Sequence, residues 1–374
     1  MKKFLAMLLS AALLCPAMAM AEDTIKIGIF EPMTGATAAG GSMEKEGFDL
    51  ANELYPDVLG KKIELVYGDN KSDRAEATLA AQSLVDKGVV AVLGSYGSGL
   101  SMAGGEVFAE NEIPALTATA TNPTITLDCE WYARICFIDP FQGQKMADYA
   151  VNRLNAKTAA VFFQTGSDYS EGLKNAFVEE AEKLGLEIVA EEAFPEGDKD
   201  FKAQMTNIAS KDPDVVFAPI YYAEAGLAIT AARAAGCDAV FMGGDGFGSV
   251  KNYASAEDLE GSVYCSGYAP GTDSVKQFEE DYKAAYNVDE IPNMFAPLAY
   301  DAAMLLCEGL KAAEEQGLTA GTDEYKQAVI DAIKNMSGTE GITGSYSFDE
   351  YNNPIKPVAI IELTGGDEVY QEMY

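Results

Sequence analysis

Residues 89–126, VVAVLGSYGSGLSMAGGEVFAENEIPALTATATNPTIT, constrain the fold more than any other stretch of the chain. Their pattern gives a strand, a glycine-rich turn, a helix, a second strand and a turn of small residues, so that two strand ends deliver 95–98 and 117–121 to one place. Turns of this kind expose backbone N–H groups. A helix starting near Ser98 adds unpaired amides and the positive end of its dipole, which suits a carboxylate or phosphate oxygen. Glycine and serine also serve simply to permit a tight strand-to-helix turn, and for either turn alone the two readings weigh equally. Two such turns side by side favour an anion cradle.

The same alternation extends on both sides. Residues 24–30 (TIKIGIF) and 63–67 read as strands, and 43–54 and 74–86 as helices, which with the central stretch calls for right-handed βαβ units and a parallel sheet covered on both faces. After 131–140, WYARICFIDP, read as a crossing strand ended by proline, the series starts again. Helices are expected over 141–154, 171–184, 201–209 and 223–235, with strands over 159–164, 187–194, 214–219 and 239–243. The later helices, 275–286, 294–313 and 324–336, have no strands between them and are expected to return to the first sheet. A final pair of strands, 344–348 and 357–363, flanks the turn 349–354. The expected organisation is therefore α/β, with two doubly wound parallel-sheet lobes and three chain crossings between them. The first lobe takes 22–138 and 268–348, the second 139–267 and 349–374.

Length agrees with two domains, since 374 residues exceed what one hydrophobic core usually spans. Residues 1–21 stand outside the fold: Lys2 and Lys3, an apolar run over 4–14 and Ala19-Met20-Ala21 make a secretory signal, so the mature protein is expected to be exported. Leu14 is too bulky to precede a lipid-modified Cys15, which favours cleavage after Ala21. A formal charge of −33, from 59 acidic and 26 basic residues, repels nucleic acid and anionic lipid. The chain has no histidine, which removes the commonest general base and metal ligand. With the signal gone five cysteines remain, an odd number, and Cys129 and Cys136 are close enough in sequence to be a candidate disulfide.

Open parallel sheets bind ligands beyond the carboxyl ends of their strands. Polar residues stand at such ends over 31–41, 95–98, 117–121, 165–170, 221–224 and 243–246, the first three in one lobe and the last three in the other. Asp245, set among glycines, can bring a carboxylate close to a ligand cation, or it can be a plain Asp-Gly turn. Tyr169 and Tyr221 offer hydroxyls and aromatic walls, or ordinary edge-of-core packing. Phe295 and Tyr300 fit a helix's buried face as well as a ligand wall. Enzyme motifs fail: Gly97-Ser98-Gly99 lacks the third glycine of the dinucleotide fingerprint, no P-loop is present, and Ser101 in GLSMA has no histidine to activate it. No catalytic residue, cofactor or metal is expected.

The chain resembles the solute-binding proteins of bacterial ABC importers, specifically the leucine/isoleucine/valine-binding branch of the type I periplasmic binding fold. The resemblance rests on IGIFEPMTG (27–35), LGSYGS (93–98), PALTATATNP (114–123), DYSEG (168–172), AARAAG (231–236) and FMGGDG (241–246), in that order and spacing. It implies an exported, non-enzymatic receptor, with a three-segment hinge, that captures a small amino acid, branched-chain or otherwise apolar. Its partners would be that ligand and the importer's permease subunits in the membrane, its location the periplasm or the cell-surface exterior, and its state monomeric. The ligand carboxylate would be held by Ser98, Thr119 and Thr121, the ammonium by Asp245 with Tyr169 and Tyr221. Ser95, Tyr96 and Phe295 would complete the pocket. An aromatic residue common in the family after the first strand is replaced here by Gly40, leaving that side open or filled by Tyr96. The acidic residue is Asp where the best-known members have Glu. These departures keep an amide, a urea-like molecule or an aromatic acid as alternative ligands, and a sensor module as an alternative role.

Overall fold

The computed structural model describes residues 24–127, 129–291 and 293–374. The signal segment expected over 1–21 lies outside the described residues. The first sheet is built from β1 (Ile25–Glu31), β2 (Asp57–Val58), β3 (Lys61–Asp69), β4 (Ala91–Gly94), β5 (Ala115–Thr117) and β6 (Tyr132–Arg134), with helices α1 (Ala38–Leu54), α2 (Arg74–Asp86) and α3 (Ser98–Glu110) between them. Its strand order is β2-β3-β1-β4-β5-β6, parallel except for the antiparallel β2 edge. Every residue of β4 is buried, as a strand covered by helices on both faces requires.

The second lobe starts with α4 (Asp139–Asn152), β7 (Thr158–Thr165), α5 (Asp168–Leu184), β8 (Glu187–Pro195), α6 (Lys202–Ala209), β9 (Val215–Phe217), α7 (Tyr222–Ala234), β10 (Val240–Gly243), α8 (Ala256–Leu259) and β11 (Val263–Ser266). Helix α5 has defined ends: the Ser167 side chain accepts the Ser170 amide, and Gly185 closes the helix at φ 74. Then α9 (Lys276–Tyr286), α10 (Phe295–Glu315) and α11 (Asp323–Lys334) return to the first lobe, α10 packing along α1. Contact there is so close that a Cβ on Gly47 would lie 2.1 Å from the Ala296 carbonyl oxygen. After β12 (Ser337–Gly341) and β13 (Gly344–Ser347), the chain ends in β14 (Ala359–Thr364) and β15 (Asp367–Met373). These last two join the second sheet, order β15-β14-β11-β10-β9-β7-β8. The main chain thus passes between the lobes after β6, after β11 and after β13.

The differences from expectation have local causes. Neither sheet is wholly parallel, because β2, β14 and β15 add antiparallel edges. Strand β13 does not pair with β14. It forms its own hairpin with β12, and only the bridge Phe348–Pro354 spans the expected turn. Strands β12 (SGTEG) and β15 (DEVYQEM) lack the apolar run that marks a strand by pattern. Helix α1 begins at Ala38 rather than 43, and its Gly40 and Gly41 are the residues that let it approach Tyr96 and Pro32. Only 132–134 of the expected crossing strand is β structure. Cys129 and Cys136 are both free thiols, Cys136 buried and directed at the Ala120 carbonyl at 3.4 Å.

Candidate functional site

Strand order locates the crevice. In the first sheet the order reverses at β1, whose neighbours are β3 and β4, and in the second at β7, whose neighbours are β8 and β9. Beyond the carboxyl ends of β1 and β4 come Glu31 and the 94–98 turn; beyond those of β7 and β9 come Tyr169 and Tyr221. The two crevices face each other across a cleft of about 700 Å³, lined by Arg74 and Gly97 from the first lobe and Tyr169, Tyr221 and Glu224 from the second.

On the first lobe the two turns are tied into one surface. The Thr117 hydroxyl donates to the Ser95 carbonyl at 3.1 Å and accepts the Ala120 amide at 3.1 Å. Ser98 Oγ accepts the Asn122 amide at 3.2 Å, which leaves its own proton free to donate. Beneath them the buried Arg134 guanidinium donates to the carbonyls of Ala120 at 2.8 Å and Asn122 at 2.7 Å, so its charge is spent on holding the 118–126 turn. Helix α3 begins at Ser98 behind Gly97, at φ 90, an N-cap with no side chain to offer; the Ser98 amide meets the Tyr221 hydroxyl of the other lobe.

The second lobe presents Asp245, 3% exposed, at the start of a short 3-10 turn, Asp245–Phe247. Its Oδ1 accepts from the Tyr169 hydroxyl at 3.0 Å and from Gln142 Nε2 at 3.1 Å. Tyr169 in turn accepts the Gly246 amide at 2.9 Å, which fixes the hydroxyl proton toward the carboxylate. Burial raises the Asp245 pKa to about 6, against the pull of Gln142 and Tyr169. Tyr221 stacks on Tyr169 with centroids 4.9 Å apart, Tyr96 tilts against Tyr221 at 5.5 Å, and Phe295 meets Tyr96 edge-on at 4.9 Å. One aromatic wall therefore runs through both lobes.

Of the residues named from sequence, Tyr169 and Tyr221 line this cleft, whereas Ser95, Tyr96, Ser98, Thr119, Thr121, Asp245 and Phe295 are buried and not part of its lining. Ser95 is fully engaged inside the first lobe, its hydroxyl accepting from Asn70 Nδ2 at 2.8 Å and donating to the Tyr96 carbonyl at 3.0 Å. The Thr119 hydroxyl donates to Glu44 of α1. Among the described residues Thr121 Oγ1 and the Tyr96 hydroxyl are buried without a close hydrogen-bond partner, Thr121 lying beside the Asp139 carboxyl. Tyr96 fills the space beside Gly40, where a Cβ would come within 2.6 Å of its ring.

Sequence reasoning missed a set of buried acids around this site. Glu31, Glu44 and Asp139 are wholly buried. Glu31 accepts the Tyr96 amide at 2.8 Å and lies against Glu44; burial and the neighbouring carboxylate push its pKa up. Burial raises Glu44, despite its bonds to Thr119 and Glu31, and pushes Asp139 up to about 8. Gln142 links Asp139 to Asp245, donating to Asp139 Oδ1 at 3.1 Å. Glu44 had one legible signal: it falls on the small-residue face of α1, with Gly40, Gly41, Gly47 and Ala51.

Comparison with known proteins agrees with this fold. The sequence pattern of the family described as "Periplasmic binding protein" matches residues 24–367. The chain is 30% identical over 335 residues to the Leu/Ile/Val-binding protein BraC3 of Rhizobium johnstonii, covering 88% of this chain and 89% of that one. Among solved structures it is similar to the leucine-binding protein LivK of Thermotoga maritima, at 33% identity and a TM-score of 0.86, covering 93% and 98% of the two chains. It is equally similar to LivJ of Streptococcus pneumoniae, solved in complex with isoleucine, at 33% identity and a TM-score of 0.86, covering 94% and 99%. The chain belongs to the periplasmic binding protein family, the non-enzymatic, extracytoplasmic receptors of transport systems.

Proposed function

We propose that this protein captures a small amino acid, branched-chain or otherwise apolar, between its lobes and delivers it to the permease subunits of an ABC importer, working as a monomer in the periplasm or at the cell-surface exterior. The observation that carries the reading is a buried carboxylate on the second lobe, Asp245, joined through the stacked Tyr169 and Tyr221 to the start of α3, where the Ser98 amide meets the Tyr221 hydroxyl. A zwitterion spans that pair. Its carboxylate meets the Ser98 hydroxyl, the α3 amides and Thr121; its ammonium meets Asp245, with Tyr169 and Tyr221 beside it. The bonded partners of Thr119 and Ser95 give those two a supporting role, orienting the turns.

In this reading the lobes, 22–138 with 268–348 and 139–267 with 349–374, close about the three crossings when ligand binds. A thermal-shift screen of the twenty amino acids and their des-amino analogues tests it. A ligand that binds only the folded state stabilises it by roughly 2.7 kcal/mol at 100 times its dissociation constant. Leucine, isoleucine or valine is expected to raise the melting temperature and the corresponding 2-keto or des-amino acid to have little effect. Stabilisation by the des-amino acid alone, or by no amino acid, would overturn the proposal.

A further inference from the structure

Each turn of the first lobe is held by a glutamate, and the two glutamates touch. Glu31, the last residue of β1, accepts the Tyr96 amide at 2.8 Å through Oε2, and Glu44 of α1 accepts the Thr119 hydroxyl through Oε1. Both are fully buried. Their other oxygens, Glu31 Oε1 and Glu44 Oε2, have no further partner among the described residues, and the two carboxyls bond to each other. Gly94 makes room for this arrangement, since a Cβ there would lie 2.4 Å from Glu31 Oε1. An ionised carboxylate only accepts hydrogen bonds, so a bond between two carboxyls requires a proton on one of them.

The groups that bear most on the pair are Asp245 from the second lobe, Tyr132 of β6 and Cys136 beyond it, none of them a cation. Helix α10 meets the same face of α1 with Ala296 and Ala299. Two desolvated like charges cannot both persist at contact without a countercharge. We infer that Glu31 and Glu44 are positioning residues that share one proton and, through it, fix the 94–98 and 117–121 turns as a single ligand-binding surface. The inference rests on the amino-acid reading above, in which these turns hold the ligand's carboxylate. With the proton in place, each turn is tied to the other through two carboxyls. Losing it as pH rises sets two carboxylates against each other, and the amide and hydroxyl that they hold are pushed apart.

The test compares wild type, Glu44→Gln and Glu44→Leu by calorimetric titration with L-leucine at about pH 7 and about pH 9, with a melting curve of each ligand-free protein. Glutamine keeps an oxygen for Thr119 and brings Glu31 an N–H that does not titrate. Leucine at the same position fills the space and makes neither bond. Between the two pH values wild type is expected to lose about tenfold more affinity than Glu44→Gln. Asp139, Asp245 and the ligand's own ammonium are common to both proteins and cancel in that comparison. Glu44→Leu is expected to bind about tenfold more weakly than wild type near pH 7. Infrared difference spectra of the ligand-free proteins over the same pH step need no ligand, and wild type should lose more protonated-carboxyl C=O intensity than Glu44→Gln. Equal affinity ratios or equal infrared losses in wild type and Glu44→Gln overturn the shared proton, and full affinity in folded Glu44→Leu overturns the positioning role. Should Glu44→Leu not fold, the glutamine comparison decides. If wild type binds no α-amino acid, the amino-acid reading falls and the infrared comparison alone decides the pair.

Discussion

Arg74 and Asp168 form an ion pair across the mouth of the cleft, joining the first residue of α2 in one lobe to the first residue of α5 in the other. It is not alone. Asn122 Nδ2 donates to the Asp168 carbonyl at 2.9 Å, and the Gly40 amide donates to the Tyr222 hydroxyl at 3.0 Å, both between lobes. Bonds of this kind require the lobes to be close, so they form a latch that belongs to a closed arrangement. The Arg74 and Asp168 side chains remain 55% and 33% exposed, which limits the pair's contribution to roughly 0–1 kcal/mol.

Arg74→Ala is therefore expected to weaken ligand binding by only about two- to fivefold, through faster dissociation rather than slower association. The difference from wild type should shrink as salt is raised, because this pair is exposed enough to be screened. Stopped-flow release at low and high ionic strength measures both effects. A loss that does not respond to salt would mean that Arg74 acts by packing against Gly99 instead.

The buried acids predict an unusual pH dependence of stability. Glu44 and Asp139 have folded-state pKa values near 8, Glu368 near 7 and Asp245 near 6, all raised by burial above the unfolded values. A raised carboxyl pKa gives a contribution that is fully present below the unfolded pKa and lost as pH rises through the folded one. Ligand-free protein should accordingly lose stability between about pH 5 and 8, each group adding up to about 1.4 kcal/mol per pH unit while it titrates. Lys356, whose pKa burial lowers to about 8, works in the opposite direction only above that window. Glu44→Gln removes one of these groups and the repulsion on Glu31, so its melting temperature should vary less steeply with pH. Equal slopes in wild type and variant would refute the assignment.

What the sequence made legible follows from the range of each signal. Strand, turn and helix over 89–126 are encoded within a few residues of one another, and helix α2 falls at the expected 74–86. Asp245, Tyr169 and Tyr221 could be singled out as candidates because each stands just beyond a strand, and strand ends can be read locally. Glu31, Glu44 and Arg134 take their character from burial and from partners distant in sequence. Thr119 and Glu44 are 75 residues apart, and Gln142 and Asp245 are 103 apart. Apart from the small-residue face around Glu44, no local pattern distinguishes such an acid from a solvated one in a chain with 59 acidic residues. The first turn of α1 lies outside the expected 43–54, and the helix's glycines permit the close approach of Tyr96 and α10.

The carboxylate cradle should resist single substitutions. Backbone amides at the start of α3 remain when a hydroxyl is removed, so Ser98→Ala is expected to cost about 0.5–3 kcal/mol of binding, and Thr121→Ala a similar or smaller amount. Ser98→Ala also removes the acceptor for the Asn122 amide, which should lower the melting temperature slightly. Isothermal titration of both variants checks the pair. If neither changes the affinity, the carboxylate lies elsewhere.

Asp245 supplies the sharpest prediction, because charge and shape can be separated there. Asp245→Asn keeps the acceptor for Tyr169 and removes the negative charge from a site with little access to water. A desolvated, unpaired ammonium should cost about 2–5 kcal/mol, which is roughly thirty-fold or more in affinity. The pH profile gives an independent check. With the Asp245 pKa near 6, lowering pH through 6 protonates the carboxylate, and affinity for an ammonium ligand should fall toward about tenfold per further unit. Glu44 and Asp139, near 8, already hold their protons across that range and add no change of charge. Wild type should thus show the acid limb and Asp245→Asn should not. A des-amino analogue should bind wild type poorly and lose little further in the variant. If the substitution instead weakens amino acid and analogue equally, and the acid limb persists, Asp245 shapes the 244–248 turn and the ammonium is held by another group.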